Sequence, residues 1–361
     1  MGNLMEYLDW RGDLKFSQLE LCEVDSLILS IISYVNFDGI VPPPEDGGSI
    51  TYLEAMRAYL KLYGGRAQTL GRLIPAEALG IAVKAAKTRR YAGIRLSDYV
   101  QDTDDDQQKQ FSAVTFRITR DKYFVCFRGT DDTLIGWKES FNMSFMRPIP
   151  AQSTAEEYFN RVSERLSGGL FYLGGHSKGG NLAVYSAVRC PEETKKRILG
   201  VYNNDGPGFD TEFITGADYL SIKPKIHTII PQSSVVGMLL EHEEDYEVVK
   251  SSANGIMQHH GHTWEVMGGS FIHLDTVTES SKLIDTKLKE WLAAMSPEDR
   301  EAFVDKVYET VSSTGAKTLS ELSSEKVKLV KAWNSLDGDT RSVILKCISI
   351  LIKHNAITLK K

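Results

Sequence analysis

The chain has 361 residues, of which 42% are hydrophobic and 25% are charged, and its formal net charge at pH 7 is −6. This size allows a full hydrophobic core and predicts one large domain with additions. Because lysines and arginines are scattered along an acidic chain, we do not expect nucleic acid or an anionic membrane as a partner. The sequence contains no apolar run of about 18 residues and no basic segment followed by an apolar one, so we expect a cytoplasmic protein without a stable membrane anchor.

The four cysteines lie far apart in apolar surroundings. This spacing is typical of buried thiols in a reducing compartment and favours neither a disulfide nor a zinc site. The residues are Cys22, Cys126, Cys190 and Cys347.

The first third of the chain predicts helices at residues 22–35 and 50–63 and a third helix after Pro75. The aspartate run at 102–106 predicts a solvated turn, because it lacks the glycine and the terminal glutamate of a calcium-binding EF-hand loop. Residues 111–118 then alternate between apolar and polar side chains, and residues 123–127 are continuously apolar. We therefore expect a hairpin that leads into a central strand.

Strands and helices alternate in the middle of the chain. Helices are expected at 154–167 and 177–190, and strands at 169–174, 198–204, 225–230 and 246–250. This order predicts an α/β fold with a mostly parallel sheet covered by helices on both faces.

A different pattern begins after residue 275. Ser296 and Pro297 are a typical helix start, and further helical patterns follow at about 323–336 and 338–354. We predict a main domain at 1–275, which includes the N-terminal helical segment, and a helical C-terminal region at 276–361.

The most informative motif is Gly175-His176-Ser177-Lys178-Gly179, a G-x-S-x-G sequence between a predicted strand and a predicted helix. In this setting the motif predicts a nucleophile elbow, a tight turn that exposes a serine hydroxyl above the sheet. The flanking glycines avoid the collisions that side chains would cause where strand and helix meet. Ser177 is therefore the candidate nucleophile.

An oxyanion hole is predicted from two backbone amides. The strand at 123–127 ends in Arg128-Gly129-Thr130. The N–H groups of Thr130 and of Lys178, which follows the candidate nucleophile, could bind one oxygen.

A tryptophan at position 137 follows the Phe127–Thr130 sequence, and a Gly-His-Ser-x-Gly-Gly sequence comes about fifty residues after Phe127–Thr130. This combination resembles the class 3 lipases of the α/β-hydrolase fold. The chain is also similar to a bacterial family of class 3 lipase relatives, through residues 7–13, residues 230–242, Gln258-His259 and Trp264. The resemblance covers roughly residues 3–275. It implies an α/β-hydrolase fold, ester hydrolysis, Ser177 as nucleophile and Thr130 as an oxyanion residue.

The acid of a catalytic triad does not follow this family pattern. Class 3 lipases carry an aspartate after the strand that corresponds to 225–230, but this chain has Gln232-Ser233-Ser234 there. Asp205 ends the strand at 198–204, one strand after the candidate nucleophile, and would lie at the same edge of the sheet as Ser177. We expect Asp205 to be the acid, and the alternative is that it only stabilises the turn before Gly206-Pro207.

The base is expected downstream of the acid. His259 is the first choice because it lies in a loop after a predicted strand, and His273 and His260 are the alternatives. His227 and His354 are interpreted as structural residues, and His242 as part of a solvated face. The His259-His260-Gly261-His262 sequence does not indicate a metal site, because no helix aligns the imidazoles and no suitably spaced carboxylate is adjacent. No cofactor is expected.

Three other features near the motif are interpreted as follows, and the first and the last have two interpretations each. Lys178 is either exposed at the helix start, which we favour, or close to a negative charge in the substrate or transition state. His176 points away from the nucleophile and is expected to pack. Residues 134–146 form either a lid or acyl-binding wall, or a helix packed on the sheet.

Two functions of different classes follow. The favoured one is a serine hydrolase that acts on a small-molecule ester or lipid with the triad Ser177, Asp205 and His259. The alternative is a catalytically inactive binding or scaffold protein whose helical C-terminal region binds a partner that the sequence does not identify.

Overall fold

The computed structural model describes residues 2–63 and 76–324 and separate residues between 328 and 345. The helices predicted at 323–336 and 338–354 fall largely outside the described residues. Cys347 and His354 also lie outside them.

The described residues contain one nine-stranded sheet and one small two-stranded sheet. In the large sheet the strand order is 1-2-3-4-5-6-7-8-11. The strands are β1 (Ile50–Thr51), β2 (Arg95–Asp104), β3 (Lys109–Arg117), β4 (Lys122–Phe127), β5 (Leu170–His176), β6 (Ile198–Asn204), β7 (Ile226–Pro231), β8 (Tyr246–Val249), β9 (Val266–Met267), β10 (Ser270–Phe271) and β11 (His273–Leu274).

Five adjacent strands, β4 to β8, are parallel, while β1 to β4 pair in antiparallel fashion and β11 pairs antiparallel with β8. The predicted hairpin that leads into a central strand is therefore confirmed as β3 and β4. The parallel strands all end at one edge of the sheet, which brings the loops after β4, β5 and β6 together.

Helices occur throughout the described part of the chain. They are α1 (Leu4–Arg11), α2 (Glu23–Ile32), α3 (Tyr52–Tyr63), α4 (Ala76–Ala85), α5 (Leu134–Asn142), α6 (Pro150–Arg165), α7 (Lys178–Arg189), α8 (Glu192–Lys195), α9 (Thr211–Thr215), α10 (Ala217–Ile222), α11 (Glu279–Ala293), α12 (Pro297–Ser312) and α13 (Leu319–Ser324). None of the described helices combines the length and the apolar character that crossing a bilayer requires.

Two hydrophobic cores lie on opposite faces of the large sheet. One joins α1 to α4 to residues such as Phe124 of β4. The other joins α6 and α7 to residues such as Val125, the next residue of β4. Successive side chains of a strand point to opposite faces, so the continuously apolar strand predicted at 123–127 is explained by burial on both sides. The α/β fold with helices on both faces is confirmed.

The structure corrects two details in the polar part of the chain. The aspartate run at 102–106 is not wholly a turn, because β2 continues to Asp104 and the turn follows it. The strand β2 was not predicted at all, since its pattern is interrupted by an irregularity between Ser97 and Val100, where Asp98 has a φ of +57°.

The C-terminal region is attached to the segment that follows β4. The helix start predicted at Ser296 is confirmed, with Ser296 Oγ accepting a hydrogen bond of 3.1 Å from the amide of Asp299. Lys138 of α5 forms an ion pair of 2.7 Å with Asp305 of α12, and the amide of Leu134 donates to the carbonyl of Lys317. The boundary at residue 275 stays a prediction, and these contacts cross it.

Candidate active site

The candidate nucleophile lies on a strained turn between β5 and α7. Ser177 has φ +59° and ψ −134°, a backbone conformation that costs a residue with a side chain on the order of 1–3 kcal/mol. A Cβ atom on Gly179 would lie 2.1 Å from the carbonyl oxygen of Phe127, and one on Gly175 would lie 2.3 Å from the backbone of Gly179. Both positions therefore require glycine. The Ser177 side chain does not cap α7, so its hydroxyl is available for other contacts.

The loop after β4 lies directly beside this turn. A Cβ atom on Gly129 would come within 3.2 Å of Cβ of Ser177 and 2.5 Å of the carbonyl oxygen of His176. Thr130, the next residue, is held by a hydrogen bond of 2.7 Å between its Oγ1 and Oγ of Ser140. Lys178 is the first residue of α7, and the amides of the first helical turn have no acceptor within the helix. The two predicted oxyanion residues therefore lie next to Ser177.

Asp205 follows β6, has φ +51° and is fully buried. Its Oδ2 accepts a hydrogen bond of 2.7 Å from Nδ1 of His259. Its Oδ1 accepts one of 2.5 Å from Oγ of Ser234 and one of 3.1 Å from the amide of Gly237. Each carboxylate oxygen is thus bound, and His259 approaches one of them.

Ser234 and Gly237 are functional candidates that the sequence analysis missed. They lie in the segment after β7, where the expected family aspartate is absent. The sequence does contain a serine and a nearby glycine in this segment, which could donate hydrogen bonds to a carboxylate. The sequence analysis considers only that the segment lacks an aspartate.

His259 ends a short 3₁₀ helix at Gly255–His259 and is partly exposed. A carboxylate can only accept, so Nδ1 of His259 carries the proton and Nε2 has the free lone pair of a neutral imidazole. No hydrogen bond joins His259 to Ser177 among the described residues. Catalytic hydrogen bonds are often long in sites without substrate and tighten in the complex.

His176 is in direct contact with His259. The sequence analysis predicts only that His176 packs, and it does not predict this contact. Nε2 of His176 donates to the carbonyl oxygen of His259 at 2.6 Å, and its Nδ1 lies 3.2 Å from the hydroxyl of Tyr34. The two imidazole centroids are 4.6 Å apart. Burial, with a further effect from His259, holds the pKa of His176 well below its usual value, so the ring is neutral and keeps this hydrogen-bond pattern.

The predicted exposure of Lys178 is wrong. Its side chain is 1% exposed, and Nζ lies 2.6 Å from Oε2 of Glu139. Nζ also donates to the backbone and side-chain oxygens of Gln110, at 2.7 and 2.9 Å. The sequence analysis considered only the local helix start, whereas this lysine is directed away from solvent into the protein.

The solvated face predicted for His242 is also wrong. Its side chain is 8% exposed and pairs with Glu244 at 3.1 Å. Burial alone would raise the pKa of Glu244, but hydrogen bonding to His242 and their opposite charges lower it to about 2. The acidic patch after His242 therefore includes a buried contact between His242 and Glu244.

The remaining histidines have other partners. His260 and His262 stack on each other with their centroids 5.7 Å apart, while His259 binds Asp205, so these three imidazoles do not converge on one point. His273 lies at the far edge strand and pairs with Glu23 at 3.0 Å. His227 stacks on Tyr202, as expected for a structural residue.

One loose cluster of possible metal ligands occurs among the described residues, and it lies away from the turn at Ser177. It consists of Glu23, Glu247 and His273. Both carboxylates already contact the imidazole of His273, Glu23 at 3.0 Å and Glu247 at 3.6 Å.

The segment at 134–146 packs on the protein, as one of its two interpretations predicts, while its role as a lid or acyl-binding wall stays a prediction. Leu134 and Ile135 are buried in α5, whereas Phe141 is 52% exposed. Met143 and Met146 line a cavity of about 250 Å³, together with Phe209 and other side chains. The segment therefore packs on the protein and also forms one wall of a cavity.

The parallel sheet, the turn after β5 and the helices on both faces define a lipase-like protein of the α/β-hydrolase fold. Residues 85–309 match the family model described as Mbeg1-like. The match spans more than half of the chain, so the protein belongs to the Mbeg1-like family. The relationship to class 3 lipase relatives expected from the sequence is confirmed at the level of family and fold, while the bacterial origin stays a prediction.

Solved structures similar to the chain include lipase II from Rhizopus niveus, with 15% identity and a TM-score of 0.36 over 56% of this chain and 84% of the lipase. A fungal lipase–inhibitor complex, described as a model for interfacial activation in lipases, shows 13% identity and a TM-score of 0.34 over 57% of this chain and 84% of that one. The comparison with curated proteins gave no match.

Proposed function

We propose that the protein is a serine hydrolase that cleaves a carboxylic ester with Ser177, His259 and Asp205. The observation that carries this proposal is the hydrogen bond of 2.7 Å between the buried Asp205 and the partly exposed His259, beside the strained turn at Ser177. A carboxylate that binds Nδ1 of an imidazole fixes the tautomer whose Nε2 can accept a proton.

In the proposed reaction, Nε2 of His259 accepts the proton of the Ser177 hydroxyl as Oγ attacks the ester carbonyl. The negative charge on the tetrahedral oxygen is bound by the amides of Thr130 and Lys178. The imidazolium then protonates the leaving alcohol, and an acyl-serine ester remains. Water, deprotonated by His259, attacks this ester and releases the carboxylic acid.

The substrate in this proposal is a small-molecule ester or lipid, as the lipase-like family suggests. A cytoplasmic location remains part of the proposal.

A fluorophosphonate probe tests the nucleophile directly, because it phosphonylates activated serines. We expect the native protein to be labelled and Ser177→Ala to be unlabelled, with Ser233→Ala as a control that keeps its labelling. The site of labelling is read by mass spectrometry of the digested protein. If the folded native protein is not labelled and hydrolyses no ester in a panel of increasing chain length, the scaffold function is favoured instead.

A further inference from the structure

The ammonium group of Lys178 has no donor left for a substrate. A lysine offers three N–H donors, and Nζ has three oxygens within 2.9 Å, two from Gln110 and one from Glu139. The surroundings are closed, since Lys178 and Glu139 are both buried. This side chain is therefore committed to contacts inside the protein.

Glu139 is bound as completely as Lys178. Its Oε2 also accepts from the amide of Gln110 at 3.1 Å, and its Oε1 accepts from the amide of Ala151 at 2.9 Å. The carboxylate thus ties together the elbow after β5, the start of β3 and the start of α6.

The next residue of α5 holds the other side of the predicted oxyanion hole. Ser140 donates to the carbonyl of Gly136 at 2.8 Å, so its Oγ accepts the hydroxyl proton of Thr130 at 2.7 Å. Two consecutive residues of α5 therefore contact the two residues whose amides are the predicted oxyanion-hole donors. Glu139 binds the side chain of Lys178, and Ser140 binds that of Thr130.

We propose that Glu139 and Lys178 are positioning residues that set the distance between the two oxyanion-hole amides. The proposal rests on the proposed hydrolase function. The ammonium of Lys178 is bound inside the protein by Gln110 and Glu139, so the ion pair acts on the backbone of the elbow and does not touch substrate. The contacts with Gln110 and Ser140 also fix the positions of α5 and β3 relative to the elbow.

Stability alone gives a weak reason for such a pair. Replacing a buried ion pair by apolar residues of similar volume is often neutral or stabilising, whereas removing only one partner is strongly destabilising. A hydrogen-bonded ion pair does fix the relative positions of the two segments that it joins. This matters because a displacement of about 1 Å in an active site can lower the rate about 10²-fold. The expected effect of the pair is therefore on the transition state.

The test uses the full-length double variant Lys178→Met/Glu139→Gln, which removes both charges and leaves neither one buried alone. We expect kcat to fall by about 10- to 100-fold, less than or equal to the loss of a whole oxyanion donor, while KM stays within about twofold. The affinity for a boronic acid, whose tetrahedral adduct uses the oxyanion hole, should fall in parallel with kcat/KM. Lys138→Met is the matched control, because it removes the neighbouring ion pair of α5 with Asp305, and it should keep the native kcat.

Circular dichroism and thermal unfolding establish that each variant is folded. If the double variant does not fold, Glu139→Asp replaces it, since this change keeps the charge and shortens the side chain by one methylene. We expect kcat to fall by a smaller factor than in the double variant, again with little change in KM. A folded variant with native kcat and native boronate affinity overturns the proposal. A variant whose KM rises by the same factor as its kcat falls also overturns it. Failure of the native protein to label with fluorophosphonate would instead overturn the hydrolase function itself.

Discussion

At the scale of single residues, the acid of the site is supported by the segment that lacks the family acid. Ser234 and Gly237 occupy the loop after β7 and both donate to Asp205. Sequence reasoning could identify Asp205 because it directly follows a predicted strand. It could not identify its donors, since a hydrogen bond between residues 29 and 32 positions apart leaves no periodic pattern.

Asp205→Asn should lower kcat by about 10⁴-fold, as losing the orienting carboxylate does in a serine protease. Asparagine tolerates the positive φ of this position as well as aspartate does, so the backbone should be preserved. Ester turnover and unfolding temperature are measured together. Asp218→Asn, at an exposed ion pair with Lys195, is the control, and native turnover in a folded Asp205→Asn protein would remove Asp205 from the mechanism.

At the scale of elements, the strand–turn–helix unit around Ser177 was predictable from local sequence. The segments that pack against this unit were not. The glycines at 175 and 179 and the apolar runs beside them are local signals. The closest approach to Gly179 comes instead from the end of β4, about fifty residues earlier in the chain. The same limit explains Lys178, whose partner Glu139 lies 39 positions away. Only tertiary packing determines whether the first residue of this helix faces solvent or the interior.

Two helical glycines allow a matched test of this packing. Gly179→Ala places a Cβ 2.1 Å from a backbone oxygen, whereas a Cβ on Gly80 of α4 meets no atom within 4 Å. We expect Gly179→Ala to destabilise the protein by several kcal/mol or prevent folding, because backbone must shift. Gly80→Ala should stabilise it by about 0.5–1 kcal/mol. Urea unfolding measures both, and similar effects of the two changes would contradict the close approach at the elbow.

At the scale of the whole molecule, the parallel core of the sheet was predictable and its edges were not. Alternating apolar strands and helices predict β4 to β8 because these strands are buried on both faces. The edge strands β1 and β11, and β2 beside β1, are short, irregular or polar, and their pairing depends on distant partners. The same is true of the contacts that join α5 to the C-terminal region.

Stability should fall as the pH is lowered from 7.5 to 5. Burial holds the pKa of His176 well below its usual value and lowers that of His260 to about 4, with His259 and His262 adding to the effect on His260. In the unfolded chain these imidazoles accept protons near pH 6.5. The unfolded state therefore binds more protons between pH 6.5 and pH 4, and the free energy of unfolding decreases there.

The midpoint of urea unfolding at the two pH values measures this dependence. Glu244 does not contribute in this range, because a carboxylate with a lowered pKa loses its stabilising effect only at more acidic pH. In His260→Gln the difference between the two midpoints should be smaller than in the native protein. An equal difference in both proteins would show that His260 does not bind fewer protons in the folded state.

The loop that supports Asp205 is itself held by residues near the start of α11. The hydroxyl of Ser281 donates to the carbonyl of Ser234 at 2.5 Å, and the amide of Thr278 donates to the carbonyl of Gln232. A ribosome releases Ser177, Asp205 and His259 before it releases these two anchors. During synthesis, the nascent chain therefore contains all three of these residues before the two hydrogen bonds that anchor the loop beside Asp205 can form.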